Sequence, residues 1–280
     1  MAQLFDGFTV DPDKEVAWFR NVLTNSGLSP NTVDSYCWTL QRFLEIFENE
    51  ISPGNLITFK ENLIATSEPQ SVNNRIHGMN RYLKDKGIDY KLMQVKIVDD
   101  QFNDKVISLE DYSYLKRRLK EDKNYYDYFL IWAMGCTGAR VSEILQLKVE
   151  HIYDGIFRIY GKGTKTRTVF LSQQFCRELK DYLKDIGRDD GYIFSRGDKV
   201  ISKGSVEVRI KKLAYKYNID PEVVYPHSFR HMFAKAFNRR ENDLVLLKDI
   251  MGHSSIETTV MYCKPSLKEI LDKYNRIVDW

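Results

Sequence analysis

Apolar residues recur at helical intervals through the first part of the chain. Val16, Phe19, Val22 and Leu23 share one face within 11–26, and Gly27 ends that segment. Ser29-Pro30-Asn31 has the form of a helix start. It precedes Val33, Tyr36, Leu40, Phe43, Leu44 and Phe47 at the same spacing, and Pro53-Gly54 breaks the run. Further helices are predicted over 55–65 and 71–86, the last stopped by Gly87. Together these segments predict a small four-helix domain over 1–87.

Residues 88–105 show no clear period and many polar positions, which marks a linker to a second domain over 106–280. Ser108 and Asp111 have the spacing of a helix start, with the helix running over 112–119. A more apolar, buried helix is predicted over 125–136 and another over 141–147. Two β-rich runs, 156–160 and 167–171, flank a Gly-containing loop and read as a hairpin. A further strand is predicted at 192–195, and helices fill the remainder. The expected fold class is mainly α, with a small antiparallel β-sheet in the second domain.

A length of 280 residues suits two domains at about 150 residues each. With 43% apolar and 29% charged residues the chain can bury a core. The longest apolar run, 129–136, is far short of the ~20 residues that span a bilayer. The first fifteen residues carry acids where a signal peptide needs a basic and then an apolar stretch. No membrane association and a cytoplasmic location are therefore expected. The four cysteines lie far apart, with no CxxC pair, and read as packed thiols in a reducing compartment. No GxxxxGK[ST] or GxGxxG loop is present, which argues against ATP and dinucleotide cofactors.

Charge is unevenly spread. Residues 1–105 carry a net charge of −4 and residues 106–280 a net charge of +7, so the second part is the better candidate for a polyanion partner. Within the first part the acids crowd into 1–50. Over 60–96, Lys60, Arg75, Arg81, Lys84, Lys86, Lys91 and Lys96 outnumber four acids. A solvated helix face is the plain alternative for such a run.

Several polar residues could do chemistry. Arg140 follows Gly138 at the junction between the apolar 125–136 helix and the next one, a place where a cation wants an anion. A salt bridge to Glu143, three residues on, would serve equally well. His227 and Arg230 fall on one helical face behind Pro226, pairing a neutral-pH proton carrier with a forked cation. His227 and His231 also have metal-ligand spacing, but no HExxH and no acid or cysteine cluster completes a site. His253 after Gly252 reads equally as a capping residue. Tyr262 is one of 17 tyrosines, and Lys162 and Lys165 alone read as solvated loop charges.

Taken in order, TGARVSEILQL, GKGTKTRTVFL, HSFRH and MGHSSIETTVMY resemble the motifs of the tyrosine recombinase (phage integrase-like) family. The match covers roughly 107–266. The resemblance implies that Arg140 and Arg230 bind a scissile phosphate and that Tyr262 is the nucleophile. It makes His227 a general base or phosphate ligand, and His253 a further phosphate contact. Lys162, with Lys165 as the alternative, would donate a proton to the leaving 5′-oxygen, and Glu143 would orient the site. The product would be a 3′-phosphotyrosyl link with a free 5′-hydroxyl, reversible without ATP or a metal.

These roles are chemically coherent. With a reference pKa near 10, about one tyrosine in a thousand is ionised at pH 7, a cost of ~4 kcal/mol. A neighbouring base and a cationic pocket lower that cost. Two arginines would neutralise charge growing on phosphorus, and an acid is needed because an alkoxide leaves poorly.

The resemblance also makes 1–87 a core-binding domain on double-stranded DNA, with phosphate contacts from Lys60, Arg75, Arg81, Lys84 and Lys86. It makes the C-terminal helix, striped by Leu267, Ile270, Leu271, Tyr274 and Val278, a tail that docks on a neighbouring subunit of a homotetramer. No separate basic arm domain is expected before the core-binding unit. The acidic first fifty residues would face protein rather than DNA. Two alternatives remain: a catalytically silent DNA-binding protein, and a type IB topoisomerase-like enzyme that relaxes DNA without site choice.

Overall fold

The computed structural model describes residues 5–97, 105–160, 166–197 and 199–278. The chain folds as two compact units, Met1–Asp99 and Asp100–Trp280.

In the first unit, strand β1 (Phe8–Thr9) precedes helices α1 (Pro12–Asn25) and α2 (Pro30–Ile46). Strand β2 (Glu50–Ile51) pairs antiparallel with β1 and leads into α3 (Pro53–Thr66) and α4 (Pro69–Asp85). Each of these helices begins on a proline, whose fixed φ suits the first turn. The side chains of Asp11, Ser29 and Ser52 cap the first three by accepting backbone N–H bonds. Pro53-Gly54 is therefore the start of α3 and not the break in α2. That break comes from Glu48 and Asn49, both in the left-handed region at φ 50° and 66°. Phe19, Leu23, Leu40, Phe43, Leu44, Phe59 and Tyr82 fill the core between the helices. Phe43 meets Phe59 edge-on at 5.2 Å, and Phe19 meets Tyr82 in the same way at 5.4 Å.

The second unit is built on α5 (Leu109–Glu121) and α6 (Tyr125–Thr137). Ser108 caps α5 by accepting the Asp111 N–H at 2.9 Å. Helix α6 is buried on every side from Tyr128 to Met134, as a uniformly apolar helix must be. At roughly 1.5–3 kcal/mol for each large apolar side chain removed from water, this helix anchors the unit.

The helix predicted over 141–147 is shorter, closing as α7 (Val141–Ile144). It is followed by α8 (His151–Asp154) and by strands β3 (Ile156–Tyr160) and β4 (Thr166–Phe170), which pair antiparallel with Ile156 opposite Phe170. Next come α9 (Gln173–Asp185), β5 (Ser195–Arg196) and β6 (Lys199–Val200). The strand expected at 192–195 does not form as one piece. Tyr192 makes a single bridge to Lys148 and the Ile193 N–H bonds the Leu147 carbonyl, so this stretch is tied to the chain leaving α7. The unit ends in α10 (Lys203–Lys216), α11 (Pro226–Glu241), α12 (Leu244–Met251), α13 (Ile256–Cys263) and α14 (Leu267–Ile277). The fold is mainly helical, with small antiparallel sheets. No helix among the described residues is long and apolar enough to cross a membrane.

Candidate active site

The loop from α6 to α7 turns at Gly138, in the left-handed region at φ 61°. That turn delivers Arg140 to the start of α7, where its backbone N–H donates to Glu143 Oε2 at 2.7 Å and its Nη1 donates to Oε1 at 3.2 Å. The salt bridge that is the plain reading of Arg140 therefore exists, yet the Arg140 side chain stays 43% exposed. Glu143 also accepts a bond from Arg167 Nη1 on β4. Burial would raise the Glu143 carboxyl pKa, but the Arg140 amide and the two guanidinium groups outweigh it and hold it below the ordinary range.

Arg167 reaches further. Its Nη2 donates to the Ile250 carbonyl at 2.7 Å, at the end of α12. A Cβ on Gly252 would sit 2.3 Å from Arg167 Cδ, so only glycine permits this approach. Arg167 thus ties β4 to both the Arg140 turn and the α12–α13 turn that carries His253. The sequence motifs alone do not single it out. Strand alternation places it on the same face as the buried Val169, and a cation on the inward face of a hairpin is the available signal.

Arg230, on α11, is 1% exposed. Its Nη1 donates to the Gly138 carbonyl, and its Nη2 donates to the Met251 carbonyl and to His253 Nε2, both at 2.7 Å. Burial, then the nearby Arg140 and Arg167, push its pKa down to about 10, which still leaves it charged at neutral pH. Its Nε–H is buried and has no hydrogen-bond partner among the described residues. A buried donor left unmade costs about 1–3 kcal/mol.

His253 is 7% exposed and lies 2.9 Å, through Nδ1, from Thr259 Oγ1. Arginine can only donate, so Nε2 must accept and Nδ1 must carry the proton. Burial and three arginines push the His253 pKa down to about 4, consistent with that neutral form. Both of its ring nitrogens are engaged within the protein.

Tyr262, on α13, is half-buried, and its hydroxyl lies 3.5 Å from His227 Nδ1. Its ring stacks on His231 with centroids 3.9 Å apart and planes at 14°, and it lies 4.8 Å from the His253 ring. The Arg230 guanidinium carbon is 5.5 Å from the Tyr262 ring centroid. The His227 pKa is lowered by loss of hydration first, and then by Lys203, Arg230 and Arg140. His231 is pushed down to about 4, mainly by burial, while a bond with the Tyr262 backbone opposes the shift. His231 is therefore bound up with the tyrosine. Among the described residues no three His, Cys, Asp or Glu side chains converge to hold a metal.

Arg140, Ser142, Lys203, Pro226, His227 and Arg230 border a cavity of about 110 Å³. At ~30 Å³ per water, that is room for one small anion. Five of the residues named from the motifs, Arg140, His227, Arg230, His253 and Tyr262, thus meet in one place, joined by Glu143. Lys162 and Lys165 lie outside the described residues, between β3 and β4 in the sequence.

The cations named in the first unit are less free than their charge suggests. Arg75 donates to the Ser35 carbonyl and to Thr39 Oγ1 and stacks over Trp38 at 4.1 Å. Arg81 is tied to Asp85 at 2.7 Å and to Ser26 at 2.8 Å. Lys86 pairs with Glu15 at 2.6 Å and lies over Trp18 at 4.0 Å. Lys60 is half-buried and Lys84 is exposed. Lys84 borders a groove of about 550 Å³ shared with Tyr36, His77, Arg81, Tyr90 and Lys91.

Residues 105–269 match the model of the phage integrase family. The chain is 27% identical to the tyrosine recombinase XerA of Pyrococcus horikoshii, over 90% of this chain and 89% of that protein. It is 30% identical to XerD of Staphylococcus saprophyticus, over 56% of each chain. The XerH site-specific recombinase bound to its palindromic difH substrate shares the fold, with a TM-score of 0.70 and 18% identity over 93% of this chain and 84% of that one. A lambda integrase dimer bound to a core site does so with a TM-score of 0.71 and 14% identity, over 91% and 95%.

Proposed function

The chain belongs to the phage integrase family, whose members cut and rejoin DNA at specific sites, and from that premise we propose how its own residues do so. Tyr262 attacks the scissile phosphorus. The bond from Tyr262 Oη to phosphorus forms as the bond to the 5′-oxygen breaks, leaving a 3′-phosphotyrosyl link. The observation that carries this reading is the Tyr262 hydroxyl 3.5 Å from His227 Nδ1, beside the cavity that Arg140 and Arg230 share. His227, kept neutral first by burial and then by the surrounding cations, takes the phenol proton. Arg140 offers exposed donors to the phosphate, and the buried Arg230 guanidinium adds its charge beside the cavity. Their charge stabilises the pentacoordinate state. A hairpin lysine, Lys162 or else Lys165, supplies the proton to the departing 5′-oxygen. His253 acts by holding Arg230. The phosphodiester bond energy is kept in the phosphotyrosyl link, so rejoining needs no ATP.

Double-stranded DNA is the partner. We assign phosphate contacts in the first unit to Lys60 and Lys84, with Arg75, Arg81 and Lys86 contributing if they exchange their internal partners for phosphate. Helix α14 buries no residue in its own chain: Leu271, Tyr274 and Ile277 are 54–70% exposed. Glu269 tethers it to Lys235 at 3.3 Å and to Arg239. This uncovered stripe suits docking on a second copy, and the working assembly is a tetramer on two DNA sites in the cytoplasm. The test is a supercoiled plasmid carrying two copies of the protein's target site. Recombinant circles support the reading. Relaxation of a plasmid with no such site would favour a topoisomerase-like activity.

A further inference from the structure

We propose that Lys203 is a phosphate-binding residue of the cleavage site and contacts the scissile phosphodiester beside Arg140. The inference rests on the recombinase reading above and adds to it a cation that lies in none of the motifs.

Lys203 borders the same cavity of about 110 Å³ as Arg140, His227 and Arg230. It is the first residue of α10, just as Pro226 and His227 form the first turn of α11. The first turns of both helices therefore line the cavity, and each brings the partial positive charge of a helix N-terminus. The plain alternative is a surface ion pair. Glu207, one turn on, lies 3.6 Å from the Lys203 ammonium, and the Lys203 side chain is 56% exposed. That distance is beyond a good hydrogen bond, so the ammonium keeps donors to offer.

The cavity also suits a further cation. Most of the Arg230 donors are used on Gly138, Met251 and His253, and Arg140 is partly committed to Glu143. A phosphate that gains negative charge on the way to the pentacoordinate state is stabilised by a further cation beside these arginines. Lys203, on a flexible stem at the cavity mouth, can follow the phosphorus as its geometry changes. It is also the leading charge acting on His227, ahead of Arg230 and Arg140, as its placement beside that ring requires.

The test uses the full chain in a Tyr262→Phe background, where binding reaches equilibrium without cleavage. The probe is a duplex that this protein selects from a random-sequence pool, with the scissile link mapped by the Tyr262 protein. Lys203→Ala is expected to weaken binding to this duplex roughly tenfold, and Lys203→Arg to retain most of it. With a neutral methylphosphonate at the scissile link, Lys203→Ala and its parent are expected to bind within about twofold of one another, because the contact is then already lost. Equal binding of both proteins to the natural duplex would make Lys203 a surface charge and overturn the proposal. An equal loss on both duplexes would place it on another phosphate and overturn it too. If the parent selects no duplex at all, the recombinase reading itself fails, a result separate from either of these.

Discussion

Arg230 Nη2 donates to His253 Nε2 at 2.7 Å, and this one bond sets the protonation of the histidine. Because arginine has no acceptor, the imidazole lone pair must face it, and the proton sits on Nδ1 toward Thr259. His253 thereby orients a buried cation beside the cavity it shares with Arg140, and it can do so only while neutral.

A pH dependence of stability follows. His253 has its pKa lowered from 6.5 to about 4 in the fold. Between those values the unfolded chain binds a proton that the folded chain refuses, so stability falls as pH drops. The contribution is fully present above about pH 6.5 and lost progressively toward pH 4, by on the order of 1 kcal/mol per pH unit at most. Urea unfolding at pH 7 and pH 5 should show this slope. His253→Gln, which cannot titrate, should reduce it and leave the share of His231, whose pKa is likewise pushed down to about 4, and an unchanged slope would refute the assignment.

Arg167→Ala should be costly. It removes one side chain that joins Glu143 to the Ile250 carbonyl, and breaking such a buried pair typically costs about 3–5 kcal/mol. Chemical denaturation should show a loss near that size. Arg167→Lys should recover only part of it, since lysine cannot reach both partners with a planar fork. Full stability in the alanine variant would show that β4 is held by other contacts.

His231 supports Tyr262 through a stack at 3.9 Å. His231→Ala should slow covalent attachment about tenfold or more, because a misplaced nucleophile loses its near-attack geometry. DNA affinity should stay within about twofold, as the ring itself touches no phosphate in the mechanism proposed. His231→Phe, which keeps the stack, should recover part of the rate. A parallel fall in affinity and rate would point instead to a disturbed binding surface.

Helix α14 should matter for assembly and not for single-site chemistry. Leu271→Glu with Tyr274→Glu places charge on the uncovered stripe. Light scattering of protein–DNA complexes should show fewer paired sites, with cleavage of a single site unchanged. If pairing is unaffected, the stripe is not the subunit contact.

Much of the molecule is legible in its sequence. The 3.6-residue spacing identifies α1, α2 and α4, because one face of each helix is buried and the other solvated. Boundaries are harder. Helix α4 begins at Pro69 and not at 71, and a proline there can act as either a breaker or a first-turn residue. Ile193 has the neighbours of a strand residue, but its N–H is taken by Leu147. At the site, the motif residues stand out by their order along the chain. Arg167 and Lys203 do not, since one looks like an ordinary strand residue and the other like an ordinary charge at a helix start. Their meaning comes from what long-range packing brings beside them: the Gly252 turn in one case and the Arg140 cavity in the other.

The most direct test of the mechanism is covalent capture. The protein is mixed with a nicked duplex carrying its target site, so that the cut strand diffuses away, and the products are run on a denaturing gel in EDTA. A protein–DNA band that vanishes in Tyr262→Phe is the expected result, with the phosphotyrosyl peptide mapping to Tyr262. A band that persists in Tyr262→Phe, or no band from wild-type protein that binds the duplex, would contradict the assignment of Tyr262 as nucleophile.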